Sequence, residues 1–186
     1  IENECNGPPC ASLAPAPDPD DLAPEQLSAI SKEAGIVGMG GATFPTHVKI
    51  TSGLGKVDTV IVNACECEPY ITSDHRVLLE EPEAVLGGVR LLARIFGVDR
   101  VHIAIEQNKA NAAGMLKLKI EEEKAPAVVD VLPTRYPQGA EKQLCQSITG
   151  RQVPPGALPA AIGCAVFNVV TTVAIYNAVY HGKPVT

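Results

Sequence analysis

The sequence predicts an α/β domain built on a largely parallel sheet flanked by helices. Three observations carry this. Strand-like and helix-like segments alternate along the chain at βαβ spacing. Asp58–Ala64 contains Thr59-Val60-Ile61-Val62, a continuous β-branched run of the kind found in sheets covered on both faces. Pro82–Phe96 sets Val85, Val89, Leu92 and Phe96 on one helical face, and Gly97 closes it.

Residues 1–23 read as a connector, because Pro8, Pro9, Pro15, Pro17 and Pro19 break both helix and central strand. A chain opening at Ile1 rather than methionine is expected to be an excised or processed fragment. A helix is expected from Pro24 to Ala34, with Pro24 in its first turn and Gly35 as its stop. After strand 58–64 comes helix 82–96, whose Gly87-Gly88 pair implies close packing against a neighbour. Strand Val101–Ile105 follows, with His102 as a structural residue between apolar ones. Helix Lys109–Glu123 ends on acidic residues that oppose its dipole. Then come strand Ala127–Leu132, helix Gly139–Thr149 ended by Gly150, and strand Ile162–Phe167. The last element is a helix over Thr171–Val179, where Val173, Tyr176 and Tyr180 form one stripe.

Composition narrows the function. Of the 186 residues, 46% are hydrophobic and 19% charged, which suits a globular chain with a real core. A net charge of −6 argues against nucleic acid as a partner. No stretch of about 18 apolar residues is present, and no basic, apolar leader opens the chain. Any membrane association is therefore expected to run through other subunits or missing segments. The six cysteines are irregularly spaced, which does not resemble a secreted disulfide scaffold. Cys145 and Cys164 lie in apolar segments and are expected to be buried thiols. Cys5 and Cys10 fall in a Pro/Gly-rich stretch that assigns them no role. No Cys-x2-Cys-x2-Cys run is present, so the chain carries no iron–sulfur signature of its own. A reducing, cytoplasmic compartment is expected.

The most informative stretch is Gly35-Ile36-Val37-Gly38-Met39-Gly40-Gly41-Ala42-Thr43-Phe44-Pro45-Thr46-His47-Val48-Lys49. Its glycines let the backbone approach a ligand, and consecutive amides in such a loop form an anion-binding nest. Lys49 supplies a positive charge suited to a phosphate, and Phe44 a flat apolar face. The stretch is neither a Walker A loop nor a clean dinucleotide fingerprint, and glycine loops are also ordinary turns.

Polar residues gather at the expected strand ends, where parallel sheets bind ligands. Asn63-Ala64-Cys65-Glu66-Cys67-Glu68 offers amide and carboxylate acceptors for a ribityl or ribose hydroxyl chain. A solvated loop and a Cys65/Cys67 metal site are the competing readings, the latter without a second ligand pair at zinc spacing. Tyr136 and Glu141 flank Gly139 at an expected helix start, where Glu141 either meets a ligand or complements the dipole. His47, His75, His102 and His181 are scattered, and none is expected to be catalytic.

Several of these motifs in order resemble a known family. Gly38-x-Gly40-Gly41-Ala42-Thr43-Phe44-Pro45-Thr46-His47-Val48-Lys49 and Asn63-Ala64-Cys65-Glu66-Cys67-Glu68-Pro69-Tyr70 look like the C subunit of the Rnf electron-transport complex, a ferredoxin:NAD⁺ oxidoreductase. They are also similar to the flavin-carrying, NADH-binding subunit of respiratory complex I. The resemblance continues through Tyr136-Pro137-Gln138-Gly139-Ala140-Glu141-Lys142-Gln143-Leu144 and Asn168-Val169-Val170-Thr171.

The resemblance implies a Rossmann-like FMN-binding domain over residues 24–186. It implies non-covalent FMN, NAD(H) as substrate, and 4Fe-4S clusters on a C-terminal segment outside this chain. It places the protein peripherally on the cytoplasmic face of the cell membrane, beside other members of the complex and in indirect exchange with ferredoxin. By position, Gly38, Gly40 and Gly41 would line flavin and dinucleotide. Lys49 and Asn63 would hold the flavin, and Asn168 with Thr171 its phosphate end. Tyr136 and Gly139 would complete the flavin wall, while Phe44, Glu68 and Glu141 would face the nicotinamide nucleotide. Complex I proteins carry an acidic residue at the position of Cys65 and a second glutamate at that of Ala140, so two acceptors are missing here. Two alternatives stay open. One is a docking module of a redox complex that has lost its flavin. The other is an Rnf C-like electron-transfer protein of an amino-acid reductase.

Overall fold

The computed structural model describes residues 13–185. The connector's first twelve residues, with Cys5 and Cys10, lie outside the described residues. Seven α-helices and four strands follow in the order α1 (Pro24–Glu33), α2 (Thr46–Gly53), β1 (Thr59–Ala64), α3 (Ser73–Glu80), α4 (Pro82–Phe96), β2 (Val101–Glu106), α5 (Ala110–Glu123), β3 (Ala127–Leu132), α6 (Glu141–Thr149), β4 (Cys164–Asn168) and α7 (Val169–His181). The four strands make one sheet, ordered β3-β2-β1-β4 and parallel throughout. The α/β architecture expected from the alternation is the one observed.

Boundaries shift where local chemistry overrides periodicity. Helix α7 starts at Val169, immediately after β4, because the Asn168 side chain accepts a hydrogen bond from the Val170 amide and caps it. Helix α6 starts at Glu141 rather than Gly139, since Arg135–Ala140 folds into successive turns (Gln138 N to Arg135 O, Ala140 N to Pro137 O). A single 3-10 turn over Gln107–Lys109 precedes α5. Two helices, α2 and α3, were not expected from the sequence.

The two faces of the sheet are covered unequally. One face carries Val60, Val62, Ile103, Ile105 and Phe167 into the main core beneath α1, α4, α5 and α7. The other carries Ile61, Ala104, Cys164 and Val166 into a small cluster with Leu144 and Cys145 of α6. The burial expected for Cys145 and Cys164 is thus met, and burial pushes the Cys145 thiol up to about 12. His102 pairs with Asp130 of the neighbouring strand at 2.8 Å.

The glycine pair of α4 explains how α4 and α7 meet. A Cβ on Gly87 would lie 2.3 Å from the Tyr176 ring, and one on Gly88 2.3 Å from the Thr172 carbonyl oxygen. The second neighbour is backbone and cannot swing away. Gly88→Ala is expected to lower stability by about 1–3 kcal/mol, the usual range for overpacking. Urea unfolding checks this. An unchanged midpoint at unchanged slope would show that α4 and α7 can separate without loss.

Candidate functional site

The chain builds β2 and β3 outward from β1 on one side and β4 on the other. The sheet order therefore reverses between β1 and β4, the point where open α/β sheets form a crevice beyond their carboxyl ends. Asn168 ends β4, and Asn63, next to last in β1, lies opposite it in the ladder. A cleft of about 770 Å³ opens above them, within the usual range for a cofactor pocket.

Gly38, Gly40, Gly41, Phe44, Lys49, Asn63, Glu68, Tyr136, Gly139, Glu141 and Asn168 all line this cleft. They come from four separate stretches of sequence. Thr171, expected at a phosphate end, is not part of the wall: its side chain is buried, and its Oγ1 accepts from the Met39 amide at 3.0 Å. It anchors the glycine loop to α7 and reaches a ligand only through that loop.

The glycine loop closes on itself through the Gly38 amide and the Phe44 carbonyl, 2.8 Å apart. A Cβ on Gly40 would lie 2.8 Å from Asn168 Nδ2, whereas one on Gly41 would meet nothing within 4 Å. The backbone at Gly40 is therefore pressed against the capped start of α7, and Gly41 leaves open space beside it.

Lys49 sits on α2, not in a loop. Its Nζ donates to Glu141 Oε1 at 2.8 Å and to the Val166 carbonyl at 2.7 Å, and lies 5.6 Å from the centre of the Phe167 ring. One ammonium thus joins α2, β4 and the first residue of α6. Asn63 plays a similar joining part. Its Nδ2 donates to the Gly139 carbonyl at 2.8 Å, and its Oδ1 accepts from the Cys65 amide at 3.0 Å. A Cβ on Gly139 would lie 2.4 Å from the Cys65 carbonyl oxygen, so the two loops touch backbone to backbone.

Helix α3 brings in Asp74, a residue that no sequence motif singled out. The Glu66 carboxylate accepts from Ser73 Oγ and from the Asp74 and His75 amides, capping α3. Asp74 is buried in the cleft wall and accepts from Asn168 Nδ2 at 2.7 Å. The signal for this helix was present in Thr72-Ser73-Asp74 followed by Val77 and Leu78. Cys164 and Val166 also reach the cleft, as β4 residues beneath it.

Burial, reinforced by the charges of Glu66 and Glu68, raises the Asp74 carboxyl to about 6, with the Asn168 hydrogen bond opposing. Folded protein therefore holds this proton over a range where the unfolded chain has lost it. The associated stability is full below the unfolded value near 4 and declines as pH rises to about 6. Asp74→Asn keeps an acceptor for Asn168 and removes the charge. It is expected to raise stability above pH 6 by up to about 3 kcal/mol, with the gain vanishing below pH 4. Chemical unfolding across pH checks the sign. A variant less stable than the parent at neutral pH would show that the Asp74 charge is needed.

Burial first, then the neighbouring Glu106 charge, pushes the Cys65 thiol up to about 12. Among the described residues, no three His, Cys, Asp or Glu side chains come together in a way that could hold a metal ion. The cleft instead combines a helix N-terminus and loop amides at one end, carboxylates of Glu68 and Glu141, and the exposed rings of Phe44 and Tyr136.

The Nuo51 FMN-binding domain model matches residues 31–177, the stretch that builds this cleft. The chain belongs to the Nuo51 FMN-binding domain family. It is 47% identical over 165 residues to the C subunit of a proton-translocating ferredoxin:NAD(+) oxidoreductase complex from Clostridium ljungdahlii, covering 88% of this chain and 36% of that protein. The C subunit of the Na(+)-translocating ferredoxin:NAD(+) oxidoreductase complex of Acetobacterium woodii is 43% identical, covering 93% and 39%. The C subunit of an ion-translocating oxidoreductase complex from Vibrio cholerae is 42% identical, covering 92% and 22%. The chain thus spans well under half the length of these relatives. Among solved structures, an air-oxidized NAD+-reducing [NiFe]-hydrogenase chain superposes with a TM-score of 0.78 at 27% identity, covering 88% of this chain and 31% of that one. Among the described residues of this family member, no helix is long and apolar enough to cross a membrane.

Proposed function

We propose that this chain binds FMN in the cleft between β1 and β4 and passes electrons between NAD(H) and the flavin. The observation that carries the reading is the convergence of four sequence-distant motifs on one cleft at the switch point of the sheet. The backbone fits the group. Gly40 lies where a Cβ would strike Asn168, and Gly41 opens beside it, leaving main-chain amides close to the α7 N-terminus for a phosphate.

Bound FMN would supply the exchange between two-electron and one-electron chemistry. The protein's own work is to bind, orient and shield. Glycine-loop amides and the start of α7 take the phosphate. Asn63 and Gly139 lock two loops into a wall for the ring system. Glu68 and Glu141 present acceptors for the ribose hydroxyls of a nicotinamide nucleotide. Lys49 holds Glu141 in place, and Phe44 and Tyr136 close apolar faces over the site.

Electrons leave, in this reading, through 4Fe-4S clusters on a segment beyond these residues and so reach ferredoxin indirectly. The protein works as a peripheral member of a membrane electron-transport complex, on the cytoplasmic face. The names of its relatives support membership of such a complex, and their greater length leaves room for a cluster-bearing segment.

The test is anaerobic stopped-flow mixing of FMN-loaded protein with NADH. Bleaching of the flavin band is expected, and its absence in protein of full flavin content would refute the NADH assignment. Glu141→Gln is expected to raise the half-saturating NADH concentration roughly tenfold, the loss of one charge-assisted hydrogen bond. Flavin content should change little. An unchanged half-saturation would leave Glu141 as a helix-start and ion-pair residue only.

A further inference from the structure

A second cavity, of about 280 Å³, opens on the other side of Glu68, at the carboxyl ends of β2 and β3. Its wall carries three carboxylates, from Glu66, Glu68 and Glu106. Glu66 is fully engaged in capping α3. Glu106 differs: the residue is 0% exposed, and neither carboxyl oxygen has a hydrogen-bond partner among the described residues. Burial holds this carboxyl above its ordinary range, opposed by the nearby Arg135 backbone amide, which falls short of hydrogen-bond geometry to either oxygen, and by Lys109. A buried carboxyl left without donors is costly and calls for an explanation.

Two aromatic side chains stand at the same cavity and are not packed into the fold. Tyr70 is fully exposed and held at φ 66°, a left-handed backbone unusual for a tyrosine. Tyr136 is 74% exposed. Of the cations at the wall, Arg135 donates its Nε to Gln138, and Lys109 is the other. Carboxylates therefore outnumber cations. Unpacked rings beside an unsatisfied buried carboxylate and a second carboxylate on the rim are the composition that receives organic cations, through cation–π contact and charge-assisted hydrogen bonds.

We propose that this second cavity is a binding site for an alkylguanidinium or alkylammonium group, with Glu106 and Glu68 as its anions and Tyr70 and Tyr136 as its aromatic walls. The occupant is either a free amine or a basic side chain of a polypeptide, since both present the same head group. The site does not depend on FMN in the neighbouring cleft, although the two cavities share Glu66, Glu68 and Tyr136.

The experiment titrates this isotopically labelled chain with agmatine, with Gly-Arg-Gly, and with butylurea as a neutral mimic, following amide and tyrosine-ring NMR shifts. Saturable shifts centred on Tyr70, Glu106 and Tyr136 are expected with agmatine. Comparable binding of Gly-Arg-Gly marks a polypeptide side chain as the source, and binding of agmatine alone marks a free amine. Glu106→Gln is expected to weaken agmatine at least roughly tenfold while the protein melts as cooperatively as before. If that variant does not fold, Glu68→Gln on the rim gives the same readout. Butylurea binding as well as agmatine, or no saturable shift at these residues, would overturn the proposal.

Discussion

Gly40→Val is expected to abolish FMN binding while the chain keeps its secondary structure. The hydrogen of Gly40 faces Asn168, and even a Cβ would stand 2.8 Å from Nδ2 and 3.0 Å from the Cβ and Cγ of that residue. Asn168 cannot yield freely. Its Oδ1 caps α7 through the Val170 amide, and its Nδ2 is bonded to Asp74. The branched valine must therefore move the loop rather than the asparagine. The loop's amides then leave the α7 N-terminus, and the phosphate cradle is lost. The main core does not involve Gly40, so far-UV dichroism should match the parent. Flavin content after purification and far-UV dichroism of one sample decide the matter. Native flavin content in a folded variant would remove the loop from the site.

Lys49→Ala is expected to weaken FMN and riboflavin by similar factors, roughly ten- to a hundredfold. In the sequence, Lys49 suggests a phosphate ligand because it follows a glycine loop. In the structure its ammonium is already bonded to Glu141 and to the Val166 carbonyl, on the floor of the cleft. Removing it releases Glu141 and uncouples α2 from β4 and α6. The damage then falls on the wall for the ring system, which both ligands share. Calorimetric titration with the two flavins separates the possibilities. A loss confined to FMN would return Lys49 to the phosphate.

These two residues show how far the sequence could be read. The alternation of β-branched strands with helices was enough for the parallel sheet, because each pattern reports burial directly. Gly87-Gly88 announced a close helix contact, and Tyr176 and Thr172 of α7 supply it. The cleft-lining residues were visible as motifs because glycine, asparagine and carboxylate at strand ends are unusual in a packed core. Their pairings were not visible. Nothing in the local pattern says that Lys49 reaches Glu141, or that Asn168 holds Asp74, because those contacts join stretches separated by tens of residues. Helices α2 and α3 were missed for a related reason. Each has eight residues, too few for a clear apolar repeat, and takes its stability from tertiary contacts. Thr171 was expected at a phosphate end together with Asn168; the cap of α7 is Asn168, and Thr171 lies buried one turn on, bonded to the Met39 amide.

The central claim is that the cleft between β1 and β4 holds a flavin by its phosphate and its ring. Titration of the flavin-free chain with FMN and with riboflavin, followed by quenching of flavin fluorescence, tests it most directly. One saturable site is expected for FMN, with riboflavin binding at least roughly tenfold more weakly because it leaves the α7 N-terminus and loop amides without an anion. Folded protein that binds neither flavin saturably, or binds both with equal affinity, would contradict the account.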